Sequence, residues 1–298
     1  MARIRDTSYD KSVVYEPSED SFLLADAVAE EIWSREKRKE SNALRRLDDD
    51  DENDFDDEND EEEEEFVSVE IGVGSGYVLC SHAMRFCEEM KERLQRKQRE
   101  DDSKTKKKCR RVWRFLGVDV NEKAVEHAKE TMRRHGLRVV GDDEEEEKED
   151  FDEDDSSSSR YSIEIFRGDM LEDDRFYRRR INAKKKKPID VLLFNPPYVV
   201  TPSEEIYDPS TKSSSLSSSL TAAWAGGVRG REVVDRILYD IKSWLRPNGG
   251  TFLVVAYAQN DIEEMMEILS NQDGMRVERA KWTKADEESL VVLKAVRL

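Results

Sequence analysis

Seven short apolar runs alternate with amphipathic segments along this chain, and this alternation limits the fold more than any other feature. Apolar runs of about four to eight residues are typical of buried strands, whereas apolar residues three or four apart predict helices. Strands that alternate with helices predict βαβ units and a mostly parallel sheet with helices on both faces. The predicted strands are 66–71, 113–118, 161–166, 189–194, 250–256, 275–282 and 289–296.

Three helical patterns lie among these strands. One begins after Pro17 and Ser18, one after Asn121, and one ends before Pro247, and all of these are residues typical of helix boundaries. Ligands of parallel α/β sheets bind beyond the carboxyl ends of the strands, so the residues that follow each strand are candidates for a site. The apolar helix positions are Phe22, Ala25, Ala29 and Ile32; Ala124, Ala128, Thr131 and Met132; and Val234, Ile237, Leu238, Ile241 and Leu245.

Five charged or serine-rich stretches interrupt the pattern, at 41–65, 88–109, 141–159, 175–187 and 208–219. Their composition cannot bury a core, so they predict low-complexity inserts in a single domain over 12–298, preceded by an extension over 1–11. The net charge of the chain is −19. The acidic tracts within the first and third inserts together carry more negative charge than this, so the rest of the chain is net basic.

The three cysteines, Cys80, Cys87 and Cys109, form neither an even set nor a C-x-x-C pair. This argues against a disulfide scaffold and a thiolate zinc site, and it favours a reducing compartment. No apolar run approaches the roughly 20 residues that span a bilayer, and the first residues lack the apolar centre of a signal peptide. We expect no metal site and a cytoplasmic location, with the nucleus as an alternative.

An acidic residue, Glu70, closes the first predicted strand before a loop with glycines at alternate positions, Gly72, Gly74 and Gly76. Glycines let the main chain approach a ligand closely, although such a turn is often purely structural. The spacing differs from the dinucleotide fingerprint G-x-G-x-x-G. An acid at this position repels a pyrophosphate and suits a ligand with a cationic centre.

Acidic residues also stand at the ends of the next two strands. Asp119 can accept hydrogen bonds from both ribose hydroxyls, unless it or Asn121 only caps the following helix. Asp169 is followed by Met170, an apolar side chain that can pack on a flat ring. Three acids at three successive strand ends predict a nucleoside-binding site.

The fourth strand runs into Asn195, Pro196, Pro197 and Tyr198. Because proline has no N–H, this turn presents carbonyl oxygens without competing donors. Asn195 Oδ1 and the Pro196 carbonyl can accept both hydrogens of a planar NH₂ group, while Tyr198 offers a face for stacking. A rigid turn explains the prolines alone, but not their combination with an asparagine and an aromatic residue.

The motifs YEPSEDS at 15–21, NPPYVVTP at 195–202, AAWAGG at 222–227 and GRE at 230–232 resemble one family. They are similar to those of class I S-adenosylmethionine-dependent methyltransferases with an N/D-P-P-Y/F/W motif, and more narrowly to the eukaryotic HemK-type proteins. Members of that group are catalytic subunits that methylate the glutamine of the GGQ motif in the class I peptide-chain release factor. The resemblance spans most of the chain outside the five inserts.

This resemblance implies a single Rossmann-like domain whose seven-stranded, mostly parallel sheet has an antiparallel C-terminal strand. The implied cofactor is S-adenosylmethionine. The implied cofactor contacts are Ser21, Glu70, Gly72, Gly74, Asp119, Asp169, Met170 and Asn195. The implied substrate contacts are Asn195, Pro196, Pro197, Tyr198 and Trp224, of which Asn195, Pro196 and Tyr198 are the implied catalytic residues.

The implied chemistry needs no metal and no general base, because the methyl group of a sulfonium is already activated. His82, His127 and His135 have no neighbouring serine or cysteine pattern, so we interpret them as structural or surface residues. The third strand is expected at a sheet edge, with Tyr161, Ile163 and Ile165 exposed on one face. The resemblance implies a cover there, a small zinc-binding activator subunit, and hence a heterodimer that is poorly soluble without it.

Other interpretations remain open from the sequence. Related enzymes suggest an adenine amino group in DNA or RNA, or a histone lysine, as the methyl acceptor. A non-catalytic scaffold that binds basic proteins through the acidic tracts is a different class, and solvated disorder is the simpler interpretation of those tracts. The basic runs 106–111 and 175–187 either contact RNA or are solvated loops.

Overall fold

The computed structural model describes residues 14–31, 63–99, 110–140, 159–169, 188–206, 221, 223–285 and 288–298. Three 3₁₀ turns, Ser203–Glu205, Val228–Gly230 and Ala258–Asn260, join the regular elements. Those elements are α1 (19–31), β1 (Glu63–Ile71), α2 (Tyr77–Arg99), β2 (Arg110–Asp119), α3 (Glu122–Arg134), β3 (Ser159–Arg167), β4 (Val191–Phe194), α4 (Asp235–Leu238), α5 (Ile241–Trp244), β5 (Thr251–Tyr257), α6 (Ile262–Ser270), β6 (Met275–Ala285) and β7 (Glu288–Arg297).

The strands form one seven-stranded sheet in the order β3-β2-β1-β4-β5-β7-β6. Strands β1 to β5 are parallel, and β7 runs antiparallel to both of its neighbours. The predicted mostly parallel sheet with an antiparallel C-terminal strand is confirmed. The chain leaves β1 towards β2 and later returns to β4 on the other side, so the strand order reverses between β1 and β4. Ligands of such sheets bind at this kind of reversal.

Helices cover both faces of the sheet because alternate strand residues point to opposite sides. On one face, α1 packs against Val191, Leu193 and Leu253, and α2 and α3 pack against Phe115 and Ile163. On the other face, α4, α5 and α6 bury the alternate residues of the same strands. These include Val69, Leu192, Phe252 and Leu293.

The helix predicted over the 234–245 pattern is instead two short helices, α4 and α5. In a continuous helix the Lys242 N–H would donate to the Leu238 carbonyl. Both groups bind the side-chain amide of Gln272, whose Nε2 donates to the Leu238 carbonyl at 2.7 Å and whose Oε1 accepts from the Lys242 N–H at 3.0 Å. A residue from beyond α6 therefore fills the break.

Strand β3 lies at the sheet edge as predicted, but the expected exposure of its apolar face is wrong. Ile163 and Ile165 are buried because α3 covers them with Val125 and Met132. The Val140 N–H also donates to the Ile163 carbonyl at 2.8 Å, so the segment after α3 runs along the outer edge of β3.

The boundaries of the predicted inserts also differ from the structure. Helix α2 continues through Arg99, into the stretch predicted over 88–109, and β1 and β3 begin inside the stretches predicted over 41–65 and 141–159. The stretches 175–187 and 208–219 and the extension over 1–11 lie outside the described residues. Within the described ranges, no helix combines the length and apolar character needed to cross a membrane.

Candidate functional site

A cavity of about 220 Å³ opens at the carboxyl ends of the parallel strands, where the strand order reverses. The loop after Glu70 and the turn from Asn195 both reach it, because β1 and β4 are neighbours and pair Ile71 with Phe194. Met170 lies outside the described residues. The predicted site residues that line this one cavity are Ser21, Glu70, Gly72, Gly74, Asp119, Asp169, Asn195, Pro196, Pro197, Tyr198 and Trp224.

The glycine loop has a main-chain conformation that residues other than glycine rarely adopt. Gly72, Gly74 and Gly76 have φ values of 64°, 50° and 77°, in the left-handed region. A Cβ on Gly76 would lie 2.9 Å from the Cα of Ala128, so the loop packs directly on α3. The Gly74 N–H donates to Asp119 Oδ2 at 2.9 Å, which ties the loop to the end of β2.

Glu70 is a buried carboxyl beside this loop, and its Oε2 atom has no hydrogen-bond partner among the described residues. Burial raises the pKa of Glu70 well above its ordinary value, and the nearby Asp119 charge raises it further. A buried carboxylate is costly without a counter-charge. The site is therefore suited to a ligand that brings a positive charge.

Asp119 is not the cap of the following helix, because Asn121 Oδ1 accepts from the Lys123 N–H at 3.0 Å and caps α3. The Asp119 oxygens instead accept from the Gly74 and Asn121 N–H groups at 2.9 and 2.8 Å. Burial raises the pKa of Asp119. Each carboxylate oxygen can accept a second hydrogen bond, so the residue fits the predicted pair of ribose hydroxyls.

Asp169 faces the cavity at the end of β3, where its Oδ2 pairs with Arg236 at 3.0 Å. Arg236 comes from α4 and lines the same cavity, so the pair links two walls of the site. The sequence analysis did not identify Arg236. It occupies a polar position of an amphipathic pattern, where no local signal separates a site residue from a surface residue.

The turn from Asn195 presents a buried hydrogen-bond acceptor, the Oδ1 atom of Asn195. This atom has no hydrogen-bond partner within the described part of the chain. The segment that contains Trp224 lies against this turn. The Val199 N–H donates to the Trp224 carbonyl at 3.0 Å, and the Gly226 N–H donates to the Val199 carbonyl at 2.8 Å. A Cβ on Gly226 would lie 2.6 Å from the Pro197 carbonyl, so the two main chains are in direct contact.

Three further side chains, none of them predicted as site residues from the sequence, fix this side of the cavity. Asp20 accepts a hydrogen bond from the Tyr198 hydroxyl at 3.1 Å. Asn260 Nδ2 donates to the carbonyls of Tyr198 and Arg229 at 2.8 and 2.9 Å. Arg231 is 2% exposed and pairs with acids of α4 and α6. Asp20 lies inside the YEPSEDS motif and Arg231 inside the GRE motif, and these motifs were signals that could have indicated both residues.

No histidine lines the cavity among the residues described, and no group of His, Cys, Asp or Glu there is arranged to hold a metal ion. His82 is buried and pairs with Ser68 Oγ at 3.2 Å, and His135 Nδ1 contacts the Thr131 carbonyl at 2.8 Å. These contacts agree with structural roles for both residues.

The strand order and the cavity together define a Rossmann-like α/β fold, with acidic residues at the first three strand ends and an NPPY turn at the fourth. No family model matches the chain.

The chain is similar to two curated relatives over part of its length. It is 40% identical over 106 residues to the human "Methyltransferase HEMK2", a match that covers 36% of this chain and 44% of that protein. It is 37% identical over 110 residues to the "eRF1 methyltransferase catalytic subunit mtq2" of Schizosaccharomyces pombe, which covers 37% of this chain and 44% of that protein. The chain therefore spans less than half the length of these relatives.

Among solved structures, the chain is similar to the E. cuniculi Mtq2-Trm112 complex, described as methylating the eRF1 translation termination factor. The identity is 18%, the TM-score is 0.44, and the match covers 96% of this chain and 99% of that chain.

Proposed function

We propose that this chain is an S-adenosylmethionine-dependent N-methyltransferase that acts on the glutamine side-chain amide of the GGQ motif in the class I peptide-chain release factor. One observation carries the proposal: Glu70 and Asn195 line one cavity, and each has a buried side-chain oxygen, Oε2 and Oδ1, without a hydrogen-bond partner in the described ranges. The first suits a cationic donor and the second suits an NH₂ acceptor. The two curated relatives are named as a methyltransferase and as an eRF1 methyltransferase catalytic subunit, which supports methyl transfer and a release factor as the acceptor.

The cofactor side of the cavity would bind the donor through its acids. Glu70 faces the positive charge, Asp119 accepts from the ribose hydroxyls, and the left-handed glycines let the main chain lie close to the ligand. When bound, S-adenosylmethionine supplies an activated methyl group. No metal is needed for this chemistry.

The substrate side would hold an amide nitrogen whose lone pair is delocalised and therefore unreactive. Asn195 Oδ1 and the Pro196 carbonyl accept the two N–H groups, and Tyr198 stacks on the amide plane. Such alignment supplies up to roughly 7 to 11 kcal/mol of the barrier. Fixed acceptors that favour the positive charge developing on nitrogen add a few kcal/mol.

We also propose that the chain works as a heterodimer with a small zinc-binding activator subunit, in the cytoplasm. The S. pombe relative is described as a catalytic subunit, which supports a second chain. Co-expression with such a subunit, followed by size-exclusion chromatography and zinc analysis, tests the pairing. A stable, active monomer would contradict it.

Isotope-labelled cofactor tests the reaction itself. The full chain, co-expressed with the activator subunit, is incubated with release factor, histone and single-stranded oligonucleotide, and each product is examined by mass spectrometry. We expect label on the GGQ glutamine, and at least about a hundredfold slower labelling with Asn195→Ala. Label only on a histone lysine or an adenine would replace the proposed substrate. Absence of cofactor binding in calorimetry would instead favour a scaffold.

A further inference from the structure

The Asp20 carboxylate lies in the first turn of α1 and collects hydrogen bonds from several directions, although only 2% of its surface is exposed. Its Oδ1 accepts from Ser18 Oγ at 2.6 Å, and its Oδ2 accepts from the hydroxyls of Tyr15 and Tyr198 at 3.3 and 3.1 Å. Tyr198 is 178 residues away in the sequence. A buried carboxylate with this many donors has a fixed position and direction.

Through this contact, Tyr198 is held at both ends. Asp20 accepts from its hydroxyl, and Asn260 Nδ2 donates to its main-chain carbonyl at 2.8 Å. The ring also packs near Tyr257, with centroids 6.2 Å apart and an interplanar angle of 45°. The hydroxyl contact therefore sets the tilt of the ring that faces the cavity.

The protonation state of Tyr198 agrees with this contact. Burial raises the pKa of Tyr198 far above its ordinary value, and the Asp20 charge raises it further. Burial and the same carboxylate also raise the pKa of Tyr15. Tyr198 therefore stays protonated as a donor to Asp20, which excludes it as a base near neutral pH.

The same carboxylate reaches the cofactor side of the cavity. Asp20 Oδ1 accepts from the Ser21 N–H at 2.6 Å and from Ser21 Oγ at 3.2 Å. Ser21 is a predicted cofactor contact and lines the cavity. The buried Asp20 carboxylate thus binds Tyr198 on the substrate side of the cavity and Ser21 on the cofactor side.

We propose that Asp20 is a positioning residue for methyl transfer, which orients the Tyr198 ring towards the acceptor through the phenol hydroxyl and sets it relative to Ser21. The proposal rests on the proposed function for its kinetic test. Its geometric test, below, needs no substrate.

The kinetic test compares Asp20→Asn, Tyr198→Phe and the double variant in the full chain, with Ser18→Ala as the matched control. We expect Asp20→Asn and Tyr198→Phe each to lower kcat about tenfold or more, with cofactor Kd within about threefold in Tyr198→Phe, which leaves the contacts of Ser21 in place. The double variant should lose no more kcat than either single variant, because both substitutions break the same hydrogen bond between Tyr198 and Asp20. Ser18→Ala removes another donor to the same carboxylate and should change kcat less than threefold. The proposal would be overturned if the kcat losses of the two single variants multiplied in the double variant. It would also be overturned if Ser18→Ala lost as much kcat as Asp20→Asn.

The geometric test uses tyrosine labelled with ¹³C at Cζ. The Tyr198 signal is assigned by its disappearance in Tyr198→Phe, and it should shift in Asp20→Asn but not in Ser18→Ala. An unmoved signal overturns the proposal whatever the substrate. A shifted signal and intact cofactor binding without release-factor methylation would instead refute the proposed function alone. If Asp20→Asn does not fold, Tyr198→Phe still tests the proposal. Full kcat in Tyr198→Phe would show that the hydroxyl does not orient the ring, and it would overturn the proposal.

Discussion

The two halves of the cavity use their polar groups in different ways. On the cofactor side, Glu70 keeps an oxygen without a partner among the described residues, and burial raises the pKa values of both Glu70 and Asp119. On the substrate side, Tyr198 has its hydroxyl and its carbonyl bound by Asp20 and Asn260. The substrate side leaves binding capacity open at Asn195 Oδ1, as the cofactor side does at Glu70, but it also uses hydrogen bonds to fix the geometry of an aromatic ring that faces the ligand.

This comparison predicts that the two halves fail differently. Damage to the cofactor side should appear in affinity and can even raise stability, because an uncompensated buried charge opposes folding. Damage to the substrate side should appear in rate and in stability, with cofactor affinity preserved.

Asn195→Ala should give the largest effect, because it removes an acceptor that acts on the charge developing at nitrogen. We expect methylation to fall by roughly 10²- to 10³-fold, about 3 to 4 kcal/mol, with cofactor binding within about tenfold. Single-turnover kinetics and calorimetry measure the two quantities. Equal losses in both would place Asn195 on the cofactor side and break the comparison.

Gly230→Ala should follow, because a Cβ there would lie 2.0 Å from the Tyr198 carbonyl oxygen. Gly136 is the matched control, since its φ of 72° resembles the 64° of Gly230 but nothing lies within 4 Å of its Cβ position. We expect Gly136→Ala to cost about 1 kcal/mol in unfolding free energy. Gly230→Ala should cost roughly 2 kcal/mol more, because main chain must move. Similar urea midpoints for the two variants would contradict this close packing.

Glu70→Gln tests the cofactor side. It should raise the stability of the chain and lower its affinity for the cofactor. The folded-state pKa of Glu70 is raised, so the wild-type chain loses stability as pH rises from the ordinary carboxyl range through the raised pKa. The glutamine variant should lack this loss and melt higher at neutral pH, by about 2 to 4 °C for each kcal/mol relieved. Cofactor affinity should fall roughly tenfold, about 1.4 kcal/mol.

The pH dependence of ligand binding completes the Glu70 test. A cation favours the ionised carboxyl, so wild-type affinity for the sulfonium cofactor should rise with pH through the raised pKa. The neutral thioether product should show a smaller rise, and Glu70→Gln should show none. Calorimetry at several pH values measures this, and identical profiles for both ligands would remove the electrostatic role.

Arg236→Ala should have the smallest effect, because its pair with Asp169 is partly exposed. We expect cofactor affinity to weaken less than about fivefold, with kcat unchanged. Arg134→Ala removes a comparable pair with Glu130 on α3 and is the control, expected to leave binding unaltered. A large loss of kcat in Arg236→Ala would assign this residue to the substrate side.

Local patterns predicted the parts of this molecule that local physics decides. Apolar runs located all seven strands, and Asn121 marked the start of α3. The carboxyl ends of neighbouring parallel strands must meet, which is why the sequence could predict that Glu70, Asp119 and Asn195 line one cavity.

Contacts between distant residues were not predictable in this way. The break between α4 and α5 depends on Gln272, and the hold on Tyr198 depends on Asp20 and Asn260, all far away in sequence. The burial of Ile163 depends on how α3 crosses β3, and a strand pattern alone does not show which helix covers it.

The contact between Asp20 and Tyr198 also has a consequence for biosynthesis. At a translation rate of about 5 to 20 residues per second, roughly 10 to 35 s separate these two residues at the ribosome. Asn260 emerges later still, so the nascent chain carries an unfinished pocket through most of its elongation. A ligand of this cavity can therefore stabilise the nascent chain only late in its synthesis.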